Sequence, residues 1–301
     1  YTTEFQRLGS TDILPEHIWK DVDDYANFAN EDPVGSGAYV VDKTTSESYT
    51  LVANENFRDA ADLGVKKVQY IAVDNNQTAQ DLLAAGKLDW AGMFIPNPDD
   101  VTANGAIDWI NTPQDPTVLY TCSNAELGCT GPQTDVAVRQ ALNVAIDRAA
   151  IKDKAFVGLT GDISPTFALL PRDEKWVADS ANEVSPQEAD AAEAGEILEA
   201  AGYAKDGDYY AKDGVPLELS LISVDGWTDY NDAAKLIAEQ AEAAGIKVTA
   251  STVQWQEFSD ARQSGDFQLI VGGVIGTSVA DPFQIYRDWF GGTAVGSTGP
   301  V

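Results

Sequence analysis

The fold is decided by residues 217–274, which read LELSLISVDGWTDYNDAAKLIAEQAEAAGIKVTASTVQWQEFSDARQSGDFQLIVGGV. Runs of alternating apolar residues predict three strands here, and stretches with apolar residues at helical spacing predict two helices between them. In chain order these segments are 217–223, 230–244, 246–253, 256–263 and 267–274. Such alternation is typical of a mostly parallel sheet covered by helices on both faces, so we expect an α/β fold.

The residues before this stretch show further β-type and helical patterns. Antiparallel strands are predicted at 33–41 and 48–54, and other short strands at 65–73, 88–93, 107–111 and 117–122. A helix is predicted around Leu82 and Leu83, and it ends at Gly86. The first 33 residues are polar and irregular.

Two helices and a hairpin are predicted in the middle of the chain. VAVRQALNVAIDRAAI, residues 136–151, has apolar residues at i, i+3, i+4 and i+7 and predicts one amphipathic helix. SPQEADAAEAGEILEAAGY predicts another, with Ser185 as N-cap, Pro186 as the first helical residue and Gly202 as its stop. The dipeptide Asp213–Gly214 predicts a tight hairpin turn.

Charge and composition restrict the class of protein. The 301 residues include 48 acidic and 19 basic side chains, for a formal net charge of −29. Nucleic-acid phosphates and anionic lipids repel such a chain, so we expect neither as a partner. No stretch reaches the roughly 18–20 consecutive apolar residues that cross a bilayer. With His17 as the single histidine and with two cysteines, the sequence offers no usual zinc site unless carboxylates complete it, and no histidine-based catalytic centre unless His17 is the base.

The two cysteines, Cys122 and Cys129, lie seven positions apart in CSNAELGC, with small and turn-forming residues between them. A loop of this length can close as a disulfide, which would indicate an oxidising compartment. The alternative is a pair of reduced thiols on a strand end and a loop. We expect the disulfide, and in either case a structural role.

Two tryptophans follow strands of the predicted parallel sheet. Trp227 lies in VDGWTDY after strand 217–223, and Trp255 lies at the end of strand 246–253. In open α/β sheets the carboxyl ends of the strands face the ligand, and segment 274–281 opens toward the same edge. Indole faces beside small polar groups suit a sugar or a peptide. The alternative is that one or both tryptophans are core residues.

Several motifs also occur in a recognisable order along residues 33–287. They are PVGSGAYVV, LLAAGKLDWA, VAVRQALNVAIDRAAI, EAGEILEAAGY with KDGVPLEL, IAEQAEAAGIKVT and WQEFSDARQSGDFQLIVGG. In this order they resemble the substrate-binding proteins of ABC importers of the peptide/nickel type, extracellular solute-binding family 5.

The resemblance implies the periplasmic-binding-protein-like type II fold of cluster C, in which two lobes joined by a hinge close over the ligand. It implies that residues 1–130 are part of lobe one, a mixed β-rich α/β region with an irregular segment 1–33. Residues 131–301 would be most of lobe two, also α/β. It further implies that the fold is incomplete at both ends of this sequence.

The resemblance also bears on the ligand. In peptide binders of the family, a Trp and then an Asp that pairs with the peptide's terminal amine follow the last strand. Here those positions fall on Val274 and on Thr277 or Ser278. A buried ammonium ion without a carboxylate partner is costly. This departure favours an oligosaccharide, and an oligopeptide or dipeptide is the alternative within the family.

The implied mechanism is binding and delivery without covalent chemistry. Trp227 and Trp255 would provide stacking surfaces, and Thr277, Ser278 and Arg287 would provide hydrogen bonds. The implied partners are the small-molecule ligand and the ABC permease in the membrane. We expect no cofactor, no metal and a monomer outside the cytoplasm, as a cell-surface lipoprotein or in the periplasm, with its anchor outside this sequence. Two other classes stay open: an acidic secreted glycoside-active enzyme and a structural surface domain without a cleft.

Overall fold

The computed structural model describes residues 9, 11–25, 27–103, 105–111, 116–163, 165–179, 184–274 and 282–290. Contacts within the chain divide it into two compact units, Tyr1–Asp74 and Asn75–Val301. The predicted lobe boundary between residues 130 and 131 stays a prediction. Within the described ranges no helix combines the length and the apolar character needed to cross a membrane.

The first unit contains a three-stranded antiparallel sheet. Its elements are helix α1 (Glu16–Trp19), strands β1 (Tyr39–Thr44), β2 (Ser48–Ala53) and β3 (Lys67–Ile71), and a 3₁₀ turn (Ala60–Asp62). The strand order is β1-β2-β3, which confirms the predicted antiparallel strands. Tyr49 and Tyr70 are direct cross-strand neighbours and stack with ring centroids 4.5 Å apart.

The second unit contains eight α-helices and nine strands among its described residues. The helices are α2 (Asn76–Ala84), α3 (Pro98–Thr102), α4 (Val136–Ala145), α5 (Arg148–Lys154), α6 (Ala191–Ala200), α7 (Thr228–Ala243), α8 (Trp255–Ser264) and α9 (Phe283–Phe290). The strands are β4 (Thr117–Thr121), β5 (Asp162–Ile163), β6 (Leu169–Leu170), β7 (Ala204–Asp206), β8 (Tyr209–Lys212), β9 (Val215–Pro216), β10 (Glu218–Val224), β11 (Lys247–Val253) and β12 (Leu269–Gly273). Short 3₁₀ turns cover Ala125–Leu127, Pro132–Thr134 and Glu174–Trp176.

A four-stranded sheet organises this unit in the order β11-β10-β12-β4. β10 pairs in parallel with β11 and with β12, while β4 is antiparallel to β12. This confirms the mostly parallel sheet. The hairpin predicted at Asp213–Gly214 is also confirmed, because β8 and β9 flank it and both residues have positive φ angles, 53° and 77°.

Alternation along the strands gives the sheet two apolar faces. On one face Leu221, Leu269 and Val271 share a core with residues of α4, α6 and α7. On the other face Ile222 and Ile270 belong to a core that includes Phe258, Ile285 and the buried cysteines. Cys122 and Cys129 are joined by a disulfide in this second core, directly after β4.

The single helix predicted over 136–151 is wrong, because the structure divides it into α4 and α5. Ile146 lies between them in an extended conformation, with φ −93° and ψ 121°. Asp147 then caps α5, since its side chain accepts a hydrogen bond from the N–H of Ala150 at 2.7 Å. Asp147 therefore acts as a helix start within an otherwise helical pattern.

The predicted start of the next helix is also wrong. α6 begins at Ala191 rather than Pro186, and its N-cap is Asp190 rather than Ser185. The Asp190 carboxylate accepts a hydrogen bond from the N–H of Glu193 at 2.8 Å.

Long-range hydrogen bonds explain this later start. The carbonyl of Gln187 accepts from the N–H of Ala149 at 3.0 Å, and the N–H of Asp190 donates to the carbonyl of Val144 at 2.7 Å. These bonds commit the main chain of residues 186–190 to α4 and α5. A local capping signal was therefore overridden by tertiary contacts.

Two further strand predictions, at 88–93 and 107–111, are wrong, because the structure shows no strand in either segment. Trp90 and Ile110 are strongly exposed there. A β-type pattern forms a strand only where a neighbour completes its hydrogen bonds, and neither segment pairs with a described strand.

Leu221→Ala is expected to destabilise the protein by about 2–5 kcal/mol, because it leaves a cavity at the centre of the sheet. Leu221 is fully buried, and its register partners are Ala250 and Leu269. Urea unfolding measures the change. Val215→Ala is the control, since Val215 is 62% exposed and its loss should cost no more than about 0.5 kcal/mol. Equal losses for both variants would contradict the described core.

Candidate functional site

The parallel pairing of β10 and β11 brings two connections to one edge of the sheet. Val224, the last residue of β10, is the register partner of Val253, the last residue of β11. Trp227 follows as the N-cap residue of α7, and Trp255 follows as the first residue of α8. Each tryptophan thus lies within three residues of its strand end.

Main-chain hydrogen bonds fix the connection that carries Trp227. The N–H of Asp225 donates to the carbonyl of Val253 at 2.8 Å, and the N–H of Trp227 donates to the carbonyl of Val224 at 3.2 Å. Gly226 has a φ angle of 83°, which a residue without a Cβ adopts at little cost. The chain therefore turns directly from strand to helix, beside the connection after β11.

The two indoles stack at this edge. Their ring centroids are 5.4 Å apart with an interplanar angle of 30°. Phe258 packs beneath, 5.9 Å from Trp255, and Tyr230 meets Trp227 edge-on at 5.5 Å. Phe258 is buried, Trp227 is half-buried and Trp255 is 53% exposed. The cluster, here called the tryptophan stack, therefore joins the second core on one side and presents an open indole on the other.

Sequence reasoning missed the polar pair beside the stack. Asn76, at the start of α2, is 4% exposed, and Asp229, in the first turn of α7, is 9% exposed. The amide Nδ2 of Asn76 donates to Oδ1 of Asp229 at 3.2 Å and to Oγ1 of Thr228 at 3.3 Å. The signal in the sequence was an acid in the first turn after Trp227, but nothing there indicated a partner 153 positions away.

Burial sets the electrostatics of this pair. Desolvation raises the pKa of Asp229 to about 6, although the N–H groups of Tyr230 and Asp229 and the amide of Asn76 act in the opposite direction. Asp232, one turn further along α7, raises the pKa further. Asp229 therefore changes charge within the physiological range, which an exposed aspartate does not.

The structure says less about the other three predicted ligand residues. Thr277 and Ser278 lie outside the described residues. Arg287 is half-buried on α9, a helix whose Ile285 is fully buried in the second core with Phe258. The structure therefore brings Trp227 and Trp255 together, and it leaves the roles of Thr277, Ser278 and Arg287 as predictions.

A cavity of about 550 Å³ lies elsewhere in the second unit, between β4, β12 and the α4–α5 region. Of the predicted ligand residues that the structure describes, none of Trp227, Trp255 and Arg287 lines it. Its two arginines serve the main chain: Arg139 donates to the carbonyls of Gln133 and Thr134, and Arg148 donates to those of Asn143 and Pro186. Burial lowers the pKa of Arg148. Both arginine side chains therefore stabilise the main chain at helix ends.

The described ranges contain no group of three or more His, Cys, Asp or Glu side chains that could hold a metal ion. The indoles of the tryptophan stack provide apolar faces, and Asn76, Thr228 and Asp229 provide hydrogen-bonding groups beside them.

A solved structure shares this architecture. It is a periplasmic oligopeptide-binding protein of Thermotoga maritima with mannohexaose bound, which matches with a TM-score of 0.87 at 24% identity. The match covers 99% of this chain and 57% of that one. The fold is thus that of the two-lobe α/β periplasmic binding proteins.

The chain belongs to the bacterial extracellular solute-binding proteins, family 5 Middle, which matches residues 2–297. Relatives include a probable deoxycholate-binding periplasmic protein of Escherichia coli, 30% identical over 79% of this chain and 42% of its own. An oligopeptide-binding protein of Bacillus subtilis is 26% identical over 88% of this chain and 48% of its own. This chain therefore spans about half the length of these relatives.

Removing each tryptophan separately tests the two sides of the stack. Trp227→Ala should lower the free energy of unfolding by about 2–4 kcal/mol, because Trp227 packs against the second core. Trp255→Ala should cost less than about 1 kcal/mol, because half of this side chain is already in water. Guanidinium unfolding followed by circular dichroism measures both. A loss at Trp255 as large as that at Trp227 would show that Trp255 is structural.

Proposed function

We propose that this chain is part of the substrate-binding component of an ABC importer and that it captures an oligosaccharide at the tryptophan stack. The bound ligand would then be delivered to the permease in the membrane. The protein would act outside the cytoplasm as a monomer, in the periplasm or as a lipoprotein at the cell surface.

The exposed indole of Trp255 carries this proposal. Trp255 is 53% exposed while its ring stacks on Trp227 and Phe258, so its open indole rests on a packed base. A pyranose ring presents an apolar C–H face that suits such a surface, while its hydroxyl groups need hydrogen bonds around the border. Thr277, Ser278 and Arg287 are the residues we propose for those bonds.

The relatives are consistent with an oligosaccharide but also support a peptide. The Thermotoga maritima protein holds mannohexaose, and the match covers 99% of this chain and 57% of that one. The Bacillus subtilis relative is named for oligopeptides and the Escherichia coli relative for deoxycholate. Ligands of the family therefore vary, and the choice between a sugar and a peptide has to rest on the side chains at the site.

One observation favours an oligopeptide as the second candidate. Asp225 is exposed in the connection that leads to Trp227, and Nε2 of Gln254 donates a hydrogen bond to its Oδ2 at 3.4 Å. A carboxylate in this position could pair with the terminal amine of a peptide. The segment at Thr277 and Ser278 lacks the acid that peptide binders of the family carry, so we rank the oligosaccharide first.

The ligand class is tested by titration calorimetry with mannohexaose, cellohexaose and pentaalanine. We expect binding of at least one hexasaccharide and none of the peptide. Trp255→Ala should weaken sugar binding about tenfold, because the loss of one stacking face costs about 1.4 kcal/mol.

Trp176→Ala serves as the matched control, since Trp176 is 48% exposed and lies outside the stack. It should leave the affinity unchanged. Peptide binding without sugar binding would contradict the oligosaccharide proposal. Incubation with mannohexaose followed by mass spectrometry tests the enzyme alternative, and the appearance of shorter sugars would support it.

A further inference from the structure

Asn76 forms hydrogen bonds with the residues on both sides of Trp227, the half-buried member of the tryptophan stack. Its N–H donates to the carbonyl of Gly226 at 3.1 Å, and its Nδ2 donates to Oγ1 of Thr228 at 3.3 Å. Gly226 and Thr228 are the two chain neighbours of Trp227. Asn76, at the start of α2, thus binds the residue before Trp227 through its main chain and the residue after it through its buried side chain, an arrangement here called the clamp.

We propose that the Asn76–Asp229 hydrogen bond positions Trp227 for ligand stacking, so that ligand affinity depends on the ionisation of Asp229. This inference rests on the proposed function of the tryptophan stack. It makes Asn76 and Asp229 positioning residues, which act on the ligand through Trp227 rather than by touching it.

The clamp depends on Asp229 because the Asn76 amide donates hydrogen bonds to both Asp229 and Thr228. Nδ2 reaches Oδ1 of Asp229 at 3.2 Å, only slightly closer than Oγ1 of Thr228. An ionised carboxylate makes a charge-assisted hydrogen bond with an amide, about twice as strong as a bond between neutral groups. A protonated carboxyl loses that advantage, so protonation weakens the hold of Asn76.

The surroundings of Asp229 determine the pH at which its carboxylate is protonated. Burial raises its pKa to about 6. Of the charged groups in the described residues, Asp232 on the same helix acts on it in the same direction, and the group that faces it from α2 is the neutral amide of Asn76. Above about pH 6 the carboxylate is ionised and the clamp is formed, while below it the clamp is weakened.

Movement of Trp227 would reach the ligand surface directly. Its indole stacks on Trp255 at 5.4 Å and meets Tyr230 at 5.5 Å. No side-chain hydrogen bond caps α7 at Trp227, so the bonds of Asn76 to Gly226 and Thr228 add to the main-chain bond that Trp227 makes with Val224. Weakening of the clamp therefore allows Trp227 to move beneath the exposed indole of Trp255.

Calorimetry with mannohexaose at pH 7.5 and pH 5.0 tests the dependence. The ligand carries no titratable group, so any change in affinity comes from the protein. We expect the unaltered chain to bind about tenfold more weakly at pH 5.0, as the loss of a charge-assisted hydrogen bond requires. Asp229→Asn should bind weakly at both pH values and show no pH dependence. Asp232→Asn, the control on the same helix, should keep the dependence.

A ligand-free measurement separates this inference from the proposed function. The tryptophan fluorescence of the unliganded chain should change with a midpoint near pH 6, and this transition should be absent from Asp229→Asn and from Trp227→Phe. Absence of the transition from the unaltered chain, or its persistence in Asp229→Asn, overturns the positioning role even if sugar binds.

The remaining outcomes are also decisive. A transition that Asp229 controls, combined with sugar binding that does not vary with pH, overturns the effect on the ligand. If no sugar binds while the transition is present, the proposed function fails and the clamp on Trp227 is retained. Asn76→Ala is the second variant: it should also abolish the transition, and circular dichroism verifies that each variant is folded.

Discussion

The parallel pairing of β10 with β11 is the constraint on which the candidate site depends. Parallel strands end at the same edge of a sheet, and neighbours lie only about 4.8 Å apart. Because Val224 pairs with Val253, the connections that follow must leave side by side. An antiparallel pairing would have placed Trp227 and Trp255 at opposite ends of the sheet. The tryptophan stack is therefore a consequence of backbone pairing, and the side chains only complete it.

Burial distinguishes two carboxylates that both lie at helix starts. Asp135 caps α4 by accepting a hydrogen bond from the N–H of Ala137 at 3.0 Å, and this bond, together with Lys212 at 3.1 Å, lowers its pKa. Asp229 lies in the first turn of α7, but its desolvation outweighs its hydrogen bonds and raises its pKa. The same residue type at similar helix positions thus serves as a permanent cap in one place and as a titrating group in the other.

Much of the fold could be predicted from local patterns, since the central sheet, the Asp213–Gly214 hairpin and the main helices follow them. The errors share one physical cause. The N–H of Asp147 donates to Oε1 of Gln240, 93 positions away, and the carbonyl of Gln187 accepts from the N–H of Ala149, and periodicity reports neither bond. Isolated β-type segments, such as the one around Trp90, similarly lacked a neighbouring strand. Local propensity is a weak term, and hydrogen bonds formed on packing override it.

The sequence by itself determined the order of strands and helices, the parallel sheet and the placement of two tryptophans at its carboxyl edge, because these follow from periodicity and chain direction. Only the tertiary structure decided that Trp255 is exposed while Trp227 supports it, and that Asn76 meets Asp229 across 153 positions. Exposure and the pKa of a buried acid depend on which distant atoms exclude water. No local pattern records those atoms, so these properties arise only when the chain is packed.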